Sequence, residues 1–257
     1  MVVYAYRVFA KWLSFFIFGF FTLLLLLFIF PPARLLIHPR DKFKNFGRRF
    51  VSSSMRLFVS IMHFLMIVNL EAGDKEAYKN IQSKIVAANH PSLLDIVMLL
   101  SLIPNADCIV NANLSRNIVG GVIRQLYIFN SLDPELLVAS CSESLKQGNC
   151  LIIFPEGTRT PRSGKISIKK GVARIALSSG CGIIPFNIGG TDKYGLGKKD
   201  PWLAFNRHER YIYRISMGKE IRAEKYQGQP MPAAVRAMTS ELYDSLFNTV
   251  KEDEKIL

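Results

Sequence analysis

Cys150-Leu151-Ile152-Ile153-Phe154-Pro155-Glu156-Gly157-Thr158-Arg159-Thr160 begins as an unbroken apolar run and ends in a turn. A run this short, stopped by Pro and Gly, reads as a strand buried on both faces. The same pattern recurs at 85–88, 108–111, 183–188 and 211–217, each run bounded by turn residues. Helix-length stretches at 93–103, 133–147 and 169–179 lie between them. Near the end, Val235, Met238, Leu242 and Leu246 recur at helical spacing. Strands alternating with helices predict an α/β fold, with a mixed, mainly parallel sheet covered by helices.

Composition agrees with a folded chain. Of 257 residues 49% are apolar and 21% charged, which excludes a disordered, acidic or low-complexity protein. Four cysteines, at 108, 141, 150 and 181, form no C-x-x-C pair and no zinc-finger spacing, so neither a disulfide scaffold nor a metal site is expected. Net charge is +13, but residues 1–70 hold nine Lys/Arg against the single acid Asp41. The basic excess therefore sits beside the most apolar part of the chain, which argues against a nucleic-acid partner and for membrane lipids.

Residues 12–30 contain no charge and include five consecutive leucines, 23–27. As a helix they would be about 28 Å long, near the thickness of bilayer hydrocarbon. Pro31-Pro32 is expected to end that helix. A basic stretch, 34–49, suits anionic headgroups. A second, weaker apolar segment follows at 50–70, interrupted by Arg56 and His63. The reading is residues 1–70 as a two-helix membrane anchor and 71–257 as a soluble α/β domain. Both helices lying in one leaflet is preferred to a spanning hairpin, with the domain on the cytoplasmic face of the cell's inner membrane.

Two segments carry chemistry. Asn89-His90-Pro91-Ser92-Leu93-Leu94-Asp95 follows the apolar run at 85–88. Five residues past His90, the Asp95 carboxylate can fold back onto one ring nitrogen, fix the tautomer and raise the basicity of the other. In the second, Gly157 permits a tight turn whose N–H groups face an anion, with Thr158 and Thr160 adding hydroxyls and Arg159 a planar fork for phosphate. From 159 to 174 there are six basic residues and no acid. No G-x-S-x-G elbow is present, so a serine hydrolase is disfavoured. A catalytically silent lipid- or phosphate-binding protein remains the reading from a different class.

N-H-x-x-x-x-D followed by F-P-E-G-T-R, behind an apolar N-terminus, resembles the 1-acyl-glycerol-3-phosphate acyltransferases within the wider lysophospholipid acyltransferase family. Ile168-Lys169-Lys170-Gly171 and Ile183-Ile184-Pro185-Phe186 resemble two further segments of that family. The resemblance implies His90 as general base and Asp95 as its orienting partner. It also implies Glu156, Gly157, Thr158 and Arg159, with Lys169, at the acceptor's headgroup. No metal or cofactor is implied; acyl-CoA or acyl carrier protein would be the co-substrate. One departure stands out. The family often carries cations after a strand between the two motifs and beside a later Asp. This chain reads Val110-Asn111-Ala112-Asn113-Leu114 and then Asn130-Ser131-Leu132-Asp133-Pro134-Glu135, with Arg116 and Arg124 offset. The acceptor is therefore either 1-acyl-glycerol-3-phosphate or a non-standard lipid, such as a lyso-ornithine or polyene-type lipid. Trp202 and Phe205 are expected to pack inside, the alternative being contact with the membrane or the acyl chain.

Overall fold

The computed structural model describes residues 1–113, 120–163 and 165–248. Among them, seven strands form one sheet: β1 (Val68–Ala72), β2 (Ile85–Ala88), β3 (Ala106–Val110), β4 (Ile128–Phe129), β5 (Cys150–Ile153), β6 (Ile183–Gly190) and β7 (Tyr211–Met217). Their order is β1-β7-β6-β2-β5-β3-β4. Every neighbouring pair is parallel except β6–β7, which is antiparallel. The mixed, mainly parallel sheet read from the sequence is thus the one observed.

Helices cover both faces. α7 (Pro134–Lys146), α8 (Gly171–Ser179) and α9 (Met231–Phe247) lie on one side; α3 (Arg40–Phe64) and α5 (Asp95–Leu102) lie on the other. The period-2 alternation of a strand sorts β2 between them. Ile85 and Ala87 pack with Leu145, Ile175 and Met238, whereas Val86 and Ala88 pack with Phe58, Met98 and Leu99. All four β2 residues are fully buried, as the central strand of a two-sided sheet requires. The four apolar positions of α9 picked out by spacing, Val235, Met238, Leu242 and Leu246, are all buried.

The N-terminal region departs from expectation. α1 (Val2–Leu24) passes through a π-helical turn at Leu25–Ile29 into α2 (Phe30–Leu36). Pro31-Pro32 therefore does not stop the helix. The widened turn closes with Phe30 N–H donating to Leu25 O, five residues back, and the prolines occupy the opening positions of α2, where a missing N–H costs little.

The anchor also has one candidate spanning element, the run Val2–Leu36, and not two. α3 is part of the domain. It buries Phe43, Val51, Phe58 and Met62 in the same core as Val86 and Met98. Arg48, read as a headgroup-facing cation, is buried and pairs with Asp107 on β3 at 2.9 Å. Ser144 of α7 donates to the same carboxylate at 2.8 Å, so one ion pair joins elements from both sides of the sheet. The apolar segment 50–70 is not one helix either. Met66 adopts φ +56°, the chain turns, and β1 begins at Val68 on the sheet edge. Core packing is therefore continuous across residue 70, and α4 (Lys75–Lys79) and α6 (Gly120–Leu126) complete the described helices. Gly47 of α3 sits against Leu126 of α6, where a Cβ would come within 2.5 Å of a methyl group.

Candidate active site

β2 and β5 are parallel neighbours with Ala87 opposite Ile153. Three residues beyond each brings His90 level with Glu156, so the two sequence motifs leave the same edge of the sheet side by side. That edge is the carboxyl end of the parallel strands, where open α/β sheets bind their ligands. The backbone then locks them together. His90 N–H donates to Glu156 Oε1 at 3.0 Å and to Thr160 Oγ1 at 3.1 Å, and Thr160 N–H returns to His90 O at 2.7 Å. Thr160 Oγ1 donates to Glu156 Oε1 at 2.6 Å. The Phe154 ring stacks on the His90 imidazole at 4.0 Å, fixing its plane.

The predicted dyad is formed. His90 Nδ1 lies 2.8 Å from Asp95 Oδ2, with Asp95 at the start of α5 and fully buried. The chain around it is arranged to hold that carboxylate. Ser92 N–H donates to Oδ2 at 2.7 Å and Ser92 Oγ to Oδ1 at 2.5 Å. Behind them Tyr213 on β7 reaches Ser92 Oγ at 2.7 Å. Burial pushes the Tyr213 phenol well above its ordinary value, so it stays protonated. Lys193 is buried over the Tyr213 ring, its Nζ 4.7 Å from the centroid and donating to Gly189 O at 3.2 Å and to Thr191 O. Burial pulls its ammonium down to about 8, and the Asp95 charge opposes that fall. With a carboxylate on Nδ1 and the ring plane fixed, Nε2 is the nitrogen left for proton transfer.

The second motif is placed beside the dyad, but its side chains are engaged differently from the reading. Glu156 is buried and holds His90, with Oε2 lacking a partner; burial raises its carboxyl above the usual range. Thr160 serves Glu156 and not an anion. Gly157 has φ +67°, and a Cβ there would meet the Lys169 ammonium at 2.7 Å, so Lys169 lies across the turn. Thr158 is exposed at its tip. Arg159 Nη1 donates to Leu196 O at 2.8 Å and Gly197 O at 2.9 Å. Arg162 forks onto Asp200 and reaches Asp192, so part of the basic run is neutralised within the fold.

Asn89 was not singled out. Its side chain pairs with Ile188 in both directions, at 3.0 and 2.7 Å, and splices the β2 end to β6. Asn89 and Ser92 lie inside the motif; Lys193 and Tyr213 lie 98 and 118 residues beyond Asp95, with no local signal. At the departure from the family pattern, Asn130 accepts from Ala112 N–H and Asp133 caps α7 through Glu135 N–H. Arg116 and Leu114 lie outside the described residues; Arg124 lies on α6. Trp202 corrects another expectation. Phe205 is buried against Tyr211 at 4.0 Å, but Trp202 is 72% exposed.

A histidine–aspartate dyad thus lies at the carboxyl end of a central parallel strand, locked to an adjoining F-P-E-G-T-R turn. The chain matches the family model described as Acyltransferase over residues 69–189. It is 31% identical over 179 residues to the chloroplastic 1-acyl-sn-glycerol-3-phosphate acyltransferase LPAT1 of Arabidopsis thaliana, covering 66% of this chain and 48% of that protein. It is 32% identical over 117 residues to the 1-acyl-sn-glycerol-3-phosphate acyltransferase of Cocos nucifera, covering 42% and 37%. The chain spans about half the length of the first curated relatives it matches. The crystal structure of the 1-acyl-sn-glycerophosphate acyltransferase PlsC from Thermotoga maritima shares the fold, with a TM-score of 0.64 at 22% identity over 93% of this chain and 97% of that one.

Proposed function

We propose that this protein is a membrane-attached O-acyltransferase. It moves an acyl group from acyl-CoA or acyl carrier protein to the hydroxyl of a lysophospholipid, foremost 1-acyl-sn-glycerol-3-phosphate, to give phosphatidic acid. The observation that carries this reading is the 2.8 Å contact between His90 Nδ1 and Asp95 Oδ2 beside the F-P-E-G-T-R turn. An alcohol is too weakly acidic to attack at neutral pH without a base. His90 Nε2 takes the hydroxyl proton as the oxygen bonds to the thioester carbonyl carbon. The tetrahedral intermediate collapses with cleavage of the C–S bond, and the imidazolium returns the proton to the departing thiolate. Asp95 stabilises the imidazolium between those events. A thiolate, with a pKa near 8.5, leaves with little further help.

The acceptor's headgroup falls to the turn of Glu156, Gly157, Thr158, Arg159 and Lys169. In this reading Lys169 supplies the exposed charge, and Arg159 holds the adjoining loop with Nη1 while facing the anion with the rest of its fork. A second acceptor class, a lyso-lipid with a less anionic headgroup, is favoured by one feature: Asn111, Ala112 and Asn113, which follow β3, carry no charge to meet a phosphate.

Attachment is to one leaflet. α1 meets the domain along its length, through Lys11 to Ala204 O, Phe18 to Phe58 and Phe30 of α2 to Phe43. Its polar residues Lys11, Ser14 and Thr22 face inward, and its outward face is apolar. A helix with that inverted pattern belongs half in lipid. With a cytoplasmic co-substrate, the domain lies on the cytoplasmic face of the membrane.

The test is thiol release from acyl-CoA and acyl carrier protein by the detergent-purified full chain, with a panel of lyso-acceptors. Release should require an acceptor and fall at least about 10²-fold in His90→Ala. Asp95→Asn should approach the same loss, and the double variant should add little, because the two residues act as a unit. Free fatty acid released without acceptor would mean a hydrolase; no turnover with any acceptor would mean a binding protein.

A further inference from the structure

Residues 191–210 connect β6 to β7 and bind two separate parts of the molecule. Towards the site, Leu196 O accepts from Leu93 N–H at 3.1 Å and from Arg159 at 2.8 Å. Towards the N-terminus, the buried Lys11 of α1 donates to Trp202 O at 2.8 Å and Ala204 O at 2.5 Å. Between these attachments the chain rises to a tip. Trp202 and Leu203 are 72% and 70% exposed, and the Trp202 ring stacks on Trp12 at 6.0 Å with 25° between the planes.

An exposed Trp-Leu pair in a folded loop exposes apolar area that water does not favour. Here the pair is continuous with the outward face of α1, where Phe9 and Phe16 are also mostly exposed. Tryptophan is suited to the boundary between headgroups and acyl chains, since its ring is apolar and its N–H is polar. The flanks match an anionic surface: Lys198 and Lys199 precede the tip, Arg207 follows it, and all three are exposed.

We propose that the Trp202–Leu203 tip is a second membrane contact, seated beside Trp12 in the interfacial layer of an anionic bilayer. The proposal rests on the reading that α1 lies on the membrane. It gives the loop a role beyond connection. The carbonyls that hold Arg159 belong to the same loop as the inserted tip, so the acceptor turn is registered against the lipid surface from which its substrate comes.

The chain has two tryptophans, Trp12 and Trp202, which makes the test direct. Full-length Trp12→Phe leaves Trp202 as the single indole, and Trp202→Phe leaves Trp12. Each is mixed with phosphatidylcholine–phosphatidylglycerol vesicles, with and without brominated acyl chains, and binding is followed by co-sedimentation. The expected result is a blue shift of Trp202 emission on binding and quenching by the brominated chains, comparable to that of Trp12. Trp202 emission that neither shifts nor is quenched, in protein that sediments and whose Trp12 is quenched, overturns the tip proposal and leaves the α1 reading standing. Failure of both to be quenched, with protein left in the supernatant, overturns the α1 reading and the tip proposal together.

Discussion

His90 draws its orientation from three directions: Asp95 on the ring, Phe154 on its face, and Glu156 with Thr160 on its N–H. The third makes Glu156 a support for His90, beside the headgroup role proposed for it. Glu156→Ala leaves a half-buried N–H with one weaker partner and is expected to cost about 1–3 kcal/mol of stability. It should also lower kcat, because the imidazole loses its fixed backbone. Glu156→Gln retains an acceptor oxygen and should recover most of the stability, measured by chemical denaturation beside turnover. Equal losses in the two variants would mean that the charge, and not the hydrogen bond, is what matters. Lys193 makes a different prediction. Its folded value of about 8 lies below the unfolded 10.5, so between those values the unfolded chain holds a proton that the folded chain has released. Stability from this group therefore rises as pH climbs from about 8 to 10.5 and is lost as pH falls through 8. Denaturation midpoints for wild type and Lys193→Met at pH 7.5 and 10 should show wild type gaining relative to the variant at the higher pH. A difference unchanged with pH would mean that Lys193 keeps its proton throughout.

Among the elements, α3 is the one whose place had to be learned from the structure. The five core strands announced themselves because short apolar runs stopped by turn residues have few other uses, and β2 and β7 fall at the expected residues. The His90–Asp95 pair was legible for a similar reason: five residues across a strand-to-helix turn is a local distance. α3 was not legible, because its apolar residues are spaced for a helix and its basic residues look like headgroup ligands. The burial of Phe43, Val51, Phe58 and Met62, and the Arg48–Asp107 pairing 59 residues apart, show that the face is inward. Tyr213 and Lys193 were hidden for the same reason, being brought to Asp95 by sheet order alone. The structural consequence is testable. Arg48→Met strands the Asp107 carboxylate, whose burial already raises its pKa against the pull of Arg48. Breaking one side of such a pair is expected to cost about 3–5 kcal/mol. Arg48→Met with Asp107→Leu should recover much of that loss in a thermal melt. A chain cut to 71–257 lacks α3 and most of β1's approach, so it should fail to fold instead of appearing as a soluble enzyme.

At the scale of the whole molecule the open choice is how the run Val2–Leu36 meets the bilayer. Length and hydropathy would permit a span. Packing argues otherwise. A spanning helix is surrounded by lipid or by other spanning helices over its apolar length, yet this one lies along a folded domain at Lys11, Phe18 and Phe30. The domain's flank carries the buried Arg48–Asp107 pair and, nearer the site, the buried Lys193, none of which belongs in hydrocarbon. The proposed one-leaflet attachment therefore predicts a helix parallel to the surface, with Phe9, Phe16 and Phe20 towards lipid and both ends in the same aqueous space. Single cysteines at Val2 and His38 report those two ends, in a background where Cys181 is Ser and the other three cysteines are buried. In sealed vesicles with the domain outside, a membrane-impermeant maleimide should label both positions before detergent is added. Labelling at only one of them, with the other reached only after the vesicles are opened, would mean that the run crosses the bilayer and that α1 leaves the domain surface when it does so.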